Sequence, residues 1–430
     1  MSDTTARPLD LGLNIRLSTM MFLQYAIWGA WLPILYPFLL GHREFELDQV
    51  GLVLGAGALG AVFGPFIAGQ VADRWFATER FLAFSHLVGA ILVWLLAVTE
   101  SFPVFLGLSA IYGVIYAPTL ALTNSLAFHH MPDRDRDFGK VRLWGTIGWI
   151  VAGIGVGQWL AFQHSPTGVT EEVLQAAQDA GRADAFRLSG FLGVLMGLFC
   201  FTLPHTPPAQ GREKNATFEA LAEVKRQPLI MLFLLAVPVS IIHQFYFVFT
   251  SDFLSKYGRD TANAINKVFG VGGGGLMTIG QMSEILVLGL IPLFAKKLSR
   301  KTLLAVGLLA YAARMALFAY TDSLATVLFG VALHGLCFGC FIFVAFMVVD
   351  EETTSDVRAS AQNLFNLVIV GIGIAVGSPV ATWIGKLAKP DEDAPMDWTK
   401  LFSIPMWAAL VCLGLLFLFY PGRSRTAQAS

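Results

Sequence analysis

Charge is scarce in this sequence. Only 14% of the 430 residues are Asp, Glu, Lys or Arg, where a soluble globular chain carries about a quarter. Hydrophobic residues make up 55% and the mean hydropathy is +0.64, so polar surface is too small to cover a folded chain in water. The net charge of −1 offers no attraction to nucleic acid. Cysteine is scarce too. Cys200, Cys337, Cys340 and Cys412 all lie in apolar runs, and no disulfide framework follows. Cys337 and Cys340 make a CxxC without the surroundings of a redox domain, and read as small packing residues. Enzyme signatures are missing: there is no HExxH, no GxSxG and no GxxxxGK[ST]. No metal or organic cofactor is implied. Without a site for ATP, transport would have to draw on a gradient.

What the chain has is long apolar segments. A helix needs about 20 apolar residues to cross the hydrocarbon of a bilayer. Such segments run near 17–40, 49–72, 81–99, 103–128, 143–163, 188–204, 228–254, 270–294, 302–320, 324–349, 359–386 and 401–420. The first is longer than a signal-peptide core and lacks a cleavage site, so it reads as a retained helix. Basic residues collect on alternate linkers, such as Arg74, Arg80, Arg134, Arg136, Lys296 and Lys297. By the positive-inside rule both termini are cytoplasmic. An all-α membrane protein of 12 transmembrane helices is expected. The polar interruption at 205–227 divides it into a six-helix bundle at 1–204 and a second at 228–430. Two such halves suit a carrier that rocks around a central site.

Ionisable residues inside a span cost about 2.5–3.5 kcal/mol at the helix centre, and each is a functional suspect. Glu284 is one, with Gln281 a turn earlier on the same face. It could exchange a proton or accept hydrogen bonds from a polar solute; alternatively it is a structural carboxylate tied to a buried arginine such as Arg314. Arg142, Thr146 and Trp149 form a stripe at i, i+4 and i+7. An arginine, a hydroxyl and a ring suit a flat ligand with polar edges, unless Arg142 merely closes the basic turn that begins at Arg134. Gln244 and Phe247 share a face, as do Gln24, Trp28 and Trp31, while His334 lies one turn from Phe338. Together with Asn124 these residues predict a cavity lined by amides and rings with few charges. An uncharged polar solute with a ring fits it. Asp350, Glu351, Glu352 and Arg358 read as inter-helix charge pairs.

Several stretches resemble the nucleoside–proton symporter family of the major facilitator superfamily. They are Leu23-Gln-Tyr-Ala-Ile-Trp28-Gly-Ala-Trp31-Leu, Tyr116-Ala-Pro118-Thr119-Leu, Arg142-Leu-Trp144-Gly-Thr146-Ile-Gly148, Gln281-Met-Ser-Glu284 and Arg358-Ala-Ser-Ala-Gln362. The turn Gly69-Gln-Val-Ala-Asp73-Arg74 resembles the superfamily's loop signature, in which Gly69, Asp73 and Arg74 would serve gating. The resemblance implies a nucleoside in a central cavity, contacted by Arg142, Thr146, Trp149, Gln244, Phe247, Gln281, Glu284, His334 and Phe338, with Glu284 as the proton-linked group. It implies a monomeric, multi-pass protein of a bacterial inner membrane, importing nucleosides with protons as the coupling ion. His334, Gly339 and Phe247 depart from the tyrosine, acidic residue and asparagine expected of bacterial nucleoside permeases. A carrier of sugars or glycosylated metabolites is the alternative within the fold, and a ligand-binding membrane receptor the alternative outside it.

Overall fold

In hydrocarbon no water is available to bond the backbone, and a helix satisfies every N–H and C=O within its own segment. The computed structural model is helical accordingly, with no strand among its described residues, which are 8–60, 63, 76–207, 221–257, 264–295, 297–354, 358–389, 391 and 394–421. The helices are α1 (Leu11–Trp31), α2 (Leu35–Gly41), α3 (Leu47–Gly57), α4 (Thr78–Val98), α5 (Phe102–His130), α6 (Arg134–Gln163), α7 (Glu171–Gly181) and α8 (Ala183–Cys200). After the central linker come α9 (Leu229–Ser255), α10 (Ala264–Phe269), α11 (Gly274–Ala295), α12 (Arg300–Tyr320), α13 (Leu324–Glu352), α14 (358–387) and α15 (Trp398–Phe419). A 3-10 turn at Leu32–Ile34 joins α1 to α2, where Pro33 lacks the amide a continuous helix would use. π-helical stretches interrupt α13 at Cys337–Phe343 and α14 at Leu367–Ile372.

Among the described residues, eleven helical segments are long and apolar enough to cross a membrane. The expected second crossing begins as α3, and most of its remainder, including Gly69, Asp73 and Arg74, lies outside the described residues. Other boundaries differ from expectation because polar caps extend helices beyond the apolar run. The carboxylate of Asp10 accepts from the amide of Leu13 at 3.1 Å and starts α1 well before residue 17. Asp133 accepts from the amide of Arg136 at 3.0 Å and starts α6 well before residue 143. The sequence reading also missed α7, a short helix capped by Thr170.

The chain gathers into two units. One comprises Met1–Phe45, Ala56–Gly211 and Leu254–Gly275; the other comprises Glu46–Gly55, Arg212–Phe253 and Leu276–Ser430. The first is built on close helix approach at small residues. A Cβ on Gly29 would stand 2.7 Å from the Cα of Trp149, and one on Gly148 would strike the carbonyl of Phe22, so α1 and α6 pack backbone to backbone. Gly190, Gly193 and Gly197 seat α8 on Trp94, Ala90 and Leu87 of α4 in the same way. Gly270 has φ +76°, and beside it the amide of Val271 donates to the carbonyl of Gly157 at 3.0 Å. Only glycine accepts that conformation at no steric cost. The second unit packs around rings: Phe253 meets Phe318, Trp398 and Phe402 at centroid separations of 5.3, 5.1 and 5.2 Å.

Candidate functional site

In the first unit, the stripe expected from spacing is present on α6. The early start of α6 puts Arg142 two turns inside the helix, so it does not belong to a turn. Arg142, Thr146 and Trp149 are all half-buried. The guanidinium of Arg142 lies 4.0 Å over the ring of Tyr25. Gly145 makes room for both, since a Cβ there would be 2.7 Å from Tyr25 Cδ2 and 2.8 Å from Arg142 Nη1. Tyr25 was missed by sequence reasoning, although it sits inside one of the family-like segments. Nothing in α1 alone indicates which of its rings meets the arginine.

Gln24 has a different place from the one its helical face suggested. It is fully buried and spent on protein partners. Thr119 donates its hydroxyl to the carbonyl of Tyr116 at 2.6 Å, so its oxygen accepts from Gln24 Nε2 at 2.8 Å. That orientation leaves Gln24 Oε1 to accept from His86 Nε2 at 2.9 Å. Tyr116 donates to the backbone carbonyl of Gln24. Gln24, bonded to Tyr116, Thr119 and His86, ties α1, α5 and α4 together with its amide satisfied. Trp28 packs on Tyr116 at 5.3 Å and Trp31 on Tyr112 at 5.4 Å. Asn124 is half-buried, and its Oδ1 has no hydrogen-bond partner among the described residues.

In the second unit the polar residues of α9, α11, α12 and α13 converge. Glu284 keeps 16% of its side chain exposed, and its Oε2 is 3.7 Å from His334 Nε2. The other ring nitrogen, Nδ1, is 3.1 Å from Nη1 of Arg314. Arg314 has no exposed surface, and its Cζ is 4.5 Å from the ring centre of Tyr246 and 5.1 Å from that of Tyr311. Tyr246 stacks on His334 at 4.7 Å, and Tyr311 bonds its hydroxyl to His243 Nδ1 at 2.7 Å. Gln281 is buried on the same helix as Glu284, and its Oε1 lacks a hydrogen-bond partner among the described residues. Gln244 is 8% exposed, while Phe247 and Phe338 are half-buried.

Two expectations change here. The buried arginine does reach Glu284, but through an imidazole and not directly. His334, expected among the substrate contacts, is 2% exposed and has both ring nitrogens facing protein groups. Charge pairing at the end of α13 is as expected for Glu351, which bonds Arg300 at 2.5 and 3.1 Å. Asp350 accepts from the amide of Gln362 at 3.0 Å. All four cysteines are buried and free.

The family model described as nucleoside H+ symporter matches residues 11–425. The chain belongs to that family. The symporter is 31% identical to the putative nucleoside transporter YegT of Escherichia coli K12 over 94% of this chain and 93% of that one. It is 29% identical to the xanthosine permease of the same organism over 95% and 96%. The crystal structure of the nucleoside transporter NupG superposes with a TM-score of 0.80 at 25% identity, covering 95% of this chain and 98% of that chain. The fold is therefore that of the major facilitator superfamily. The symporter is a multi-pass membrane transporter that couples nucleosides to protons, and it is not an enzyme.

Proposed function

We propose that the symporter imports nucleosides into a bacterial cell by alternating access, and that a proton taken up by Glu284 drives each cycle. The observation that carries this reading is the placement of Glu284. It is a partly exposed carboxylate in the middle of a spanning helix, one turn from Gln281, whose Oε1 has no hydrogen-bond partner among the described residues, and held against a buried His–Arg pair. Such a group is costly in a membrane and is retained for function.

In this reading Trp149 stacks on the nucleobase, and Arg142 and Thr146 bond its edge or the ribose hydroxyls. Gln244 and Gln281 offer amides that can donate and accept at once, which suits the mixed edge of a base. Phe247 and Phe338 supply further ring surface. Protonated Glu284 can donate to a ligand oxygen, whereas the carboxylate can only accept. Substrate and proton thereby affect one another's binding. We place the symporter in the inner membrane as a monomer with both termini cytoplasmic. The two bundles, 1–204 and 228–430, rock about the linker 205–227.

The test is uptake of radiolabelled uridine into proteoliposomes, with and without an inward proton gradient. Accumulation that depends on the gradient, and is lost in Glu284→Gln, supports the reading. Silence across a nucleoside panel with intact protein would overturn the substrate and favour a sugar-like solute. Uphill uptake by Glu284→Gln would remove Glu284 as the proton carrier.

A further inference from the structure

Arg314 presents an accounting problem. A guanidinium without exposed surface needs a negative charge and hydrogen-bond acceptors to offset its lost hydration. Its Nη1 faces His334 Nδ1 at 3.1 Å, while Nε and Nη2 have no hydrogen-bond partner among the described residues. The two tyrosine rings beside it contribute cation–π attraction but no charge.

The imidazole of His334 supplies the link. Arginine has only donors, so Nδ1 must present its lone pair to Arg314 and the ring proton must sit on Nε2. The nitrogen that carries it stands 3.7 Å from Glu284 Oε2, an electrostatic contact longer than a hydrogen bond. Stacking on Tyr246 at 4.7 Å fixes the ring plane. The cation of Arg314 and the carboxylate of Glu284 thus face opposite edges of one neutral ring. A second proton on His334 would set an N–H against an N–H of Arg314, so an arriving proton is directed to Glu284.

We propose that Arg314 is the counter-ion of the coupling carboxylate Glu284, and that His334, kept neutral between them, is the positioning residue through which the two communicate. The proposal rests on the reading that Glu284 carries the proton. The proton comes from water and binds Glu284 Oε2, which becomes a neutral carboxyl; no covalent bond other than O–H is made or broken. Arg314 then loses its balancing charge while remaining buried, which favours rearrangement of the unit around it. The π-helical stretch Cys337–Phe343 follows His334 by one turn, and such stretches recur where helices serve function.

The surroundings leave little alternative. The titratable and charged groups about His334, among the described residues, are Tyr311 and Arg314 of α12, His243 and Tyr246 of α9, Glu284 of α11 and Cys337 of α13. Glu284 is the one carboxylate in this set. At Gly339, a Cβ would meet Val287 Cγ1 at 2.7 Å and Ile291 Cδ1 at 3.2 Å, so an acidic side chain there would have to push both aside.

The test compares three variants in proteoliposomes by the pH dependence of gradient-driven uridine uptake, with uridine exchange as the control for folding. In Arg314→Met, removing a neighbouring cation makes a carboxylate hold its proton more tightly. Half-maximal uptake should therefore move to higher pH, while exchange, which needs no net proton movement, stays measurable. His334→Phe keeps both charges and the stacked ring but removes the bridge, and should shift the profile in the same direction. His334→Gln can still accept from Arg314 and donate to Glu284, and should restore the wild-type profile at least in part. A purely structural role would lower the amount of active protein without moving the midpoint. If Arg314→Met does not fold, the two His334 variants decide. A wild-type midpoint in His334→Phe overturns the relay. Gradient-driven accumulation in Glu284→Gln would instead overturn the reading of Glu284 on which the relay rests.

Discussion

The guanidinium of Arg142 lies over the ring of Tyr25, its Cζ 4.0 Å from the ring centre. The contact joins α6 to α1 and fixes where the five N–H donors of the arginine point. A stacked arginine keeps its donors free for a ligand, while an arginine in a direct ion pair would have spent them.

Tyr25→Leu should therefore weaken nucleoside binding by removing the stack. A cation–π contact contributes about 0.5–2 kcal/mol, and affinity measured by calorimetry should fall between about twofold and thirtyfold. Tyr25→Phe keeps the ring and should bind close to the wild type. Equal losses in the two variants would show that the hydroxyl matters and the stack does not.

Trp149 should behave as a stacking platform. Base-on-ring stacking is worth about 1–3 kcal/mol by alanine substitution, so Trp149→Ala should raise the dissociation constant for uridine at least fivefold. Trp149→Phe should retain most of the affinity. Near-wild-type binding by Trp149→Ala would return this ring to packing between α6 and Gly29.

Gln24 should matter for stability more than for binding. Gln24→Leu leaves His86 without its hydrogen-bond partner and removes the donor to the Thr119 oxygen, whose hydroxyl still bonds Tyr116. An unsatisfied buried polar group costs about 1–3 kcal/mol, and the melting temperature of the purified protein in detergent should drop. A loss of uridine affinity at unchanged melting temperature would assign Gln24 to the ligand.

Residues 47–55 of α3 pack on α14, with Asp48 and Lys386 forming an ion pair. A Cβ on Gly51 would stand 3.2 Å from the Cβ of Thr382, near the ~3.5–4.5 Å of a disulfide. The double variant Gly51→Cys with Thr382→Cys should oxidise readily. In the proposed rocking of 1–204 against 228–430, α3 moves with the first bundle and α14 with the second, so the two would separate. Oxidised protein should lose uridine uptake and regain it on reduction. Full transport by the cross-linked protein would contradict alternating access.

His42 follows α2, outside the spans. Burial, and next the charge of Arg43, hold its imidazole below the ordinary value of 6.5. The unfolded chain then binds more protons than the folded one at acid pH, so this contribution to stability is intact above pH 6.5 and declines as pH falls below it. His42→Gln should make the acid-side loss of thermal stability shallower. An unaltered acid limb would mean that His42 does not contribute to it.

The apolar runs alone determined that the chain spans a membrane many times, because runs of about 20 apolar residues cross lipid as helices that bond their own backbone. The i, i+4, i+7 stripe of Arg142, Thr146 and Trp149 was legible for a related reason: helical periodicity is local. Helix ends were less so, since Asp10 and Asp133 lie in polar sequence and reveal themselves as caps only once the helix exists. Tertiary structure alone decided which polar residues remain available. Gln24 and Gln281 look alike as amides in apolar helices, yet Gln24 is consumed by Thr119 and His86, far away in sequence, while the Oε1 of Gln281 has no hydrogen-bond partner among the described residues. Likewise Glu284, Arg314 and His334 come from three helices, and no spacing in the sequence encodes their meeting. Periodicity fixes which residues share a face, but hydrogen-bond partners are set by how faces from distant segments are brought together.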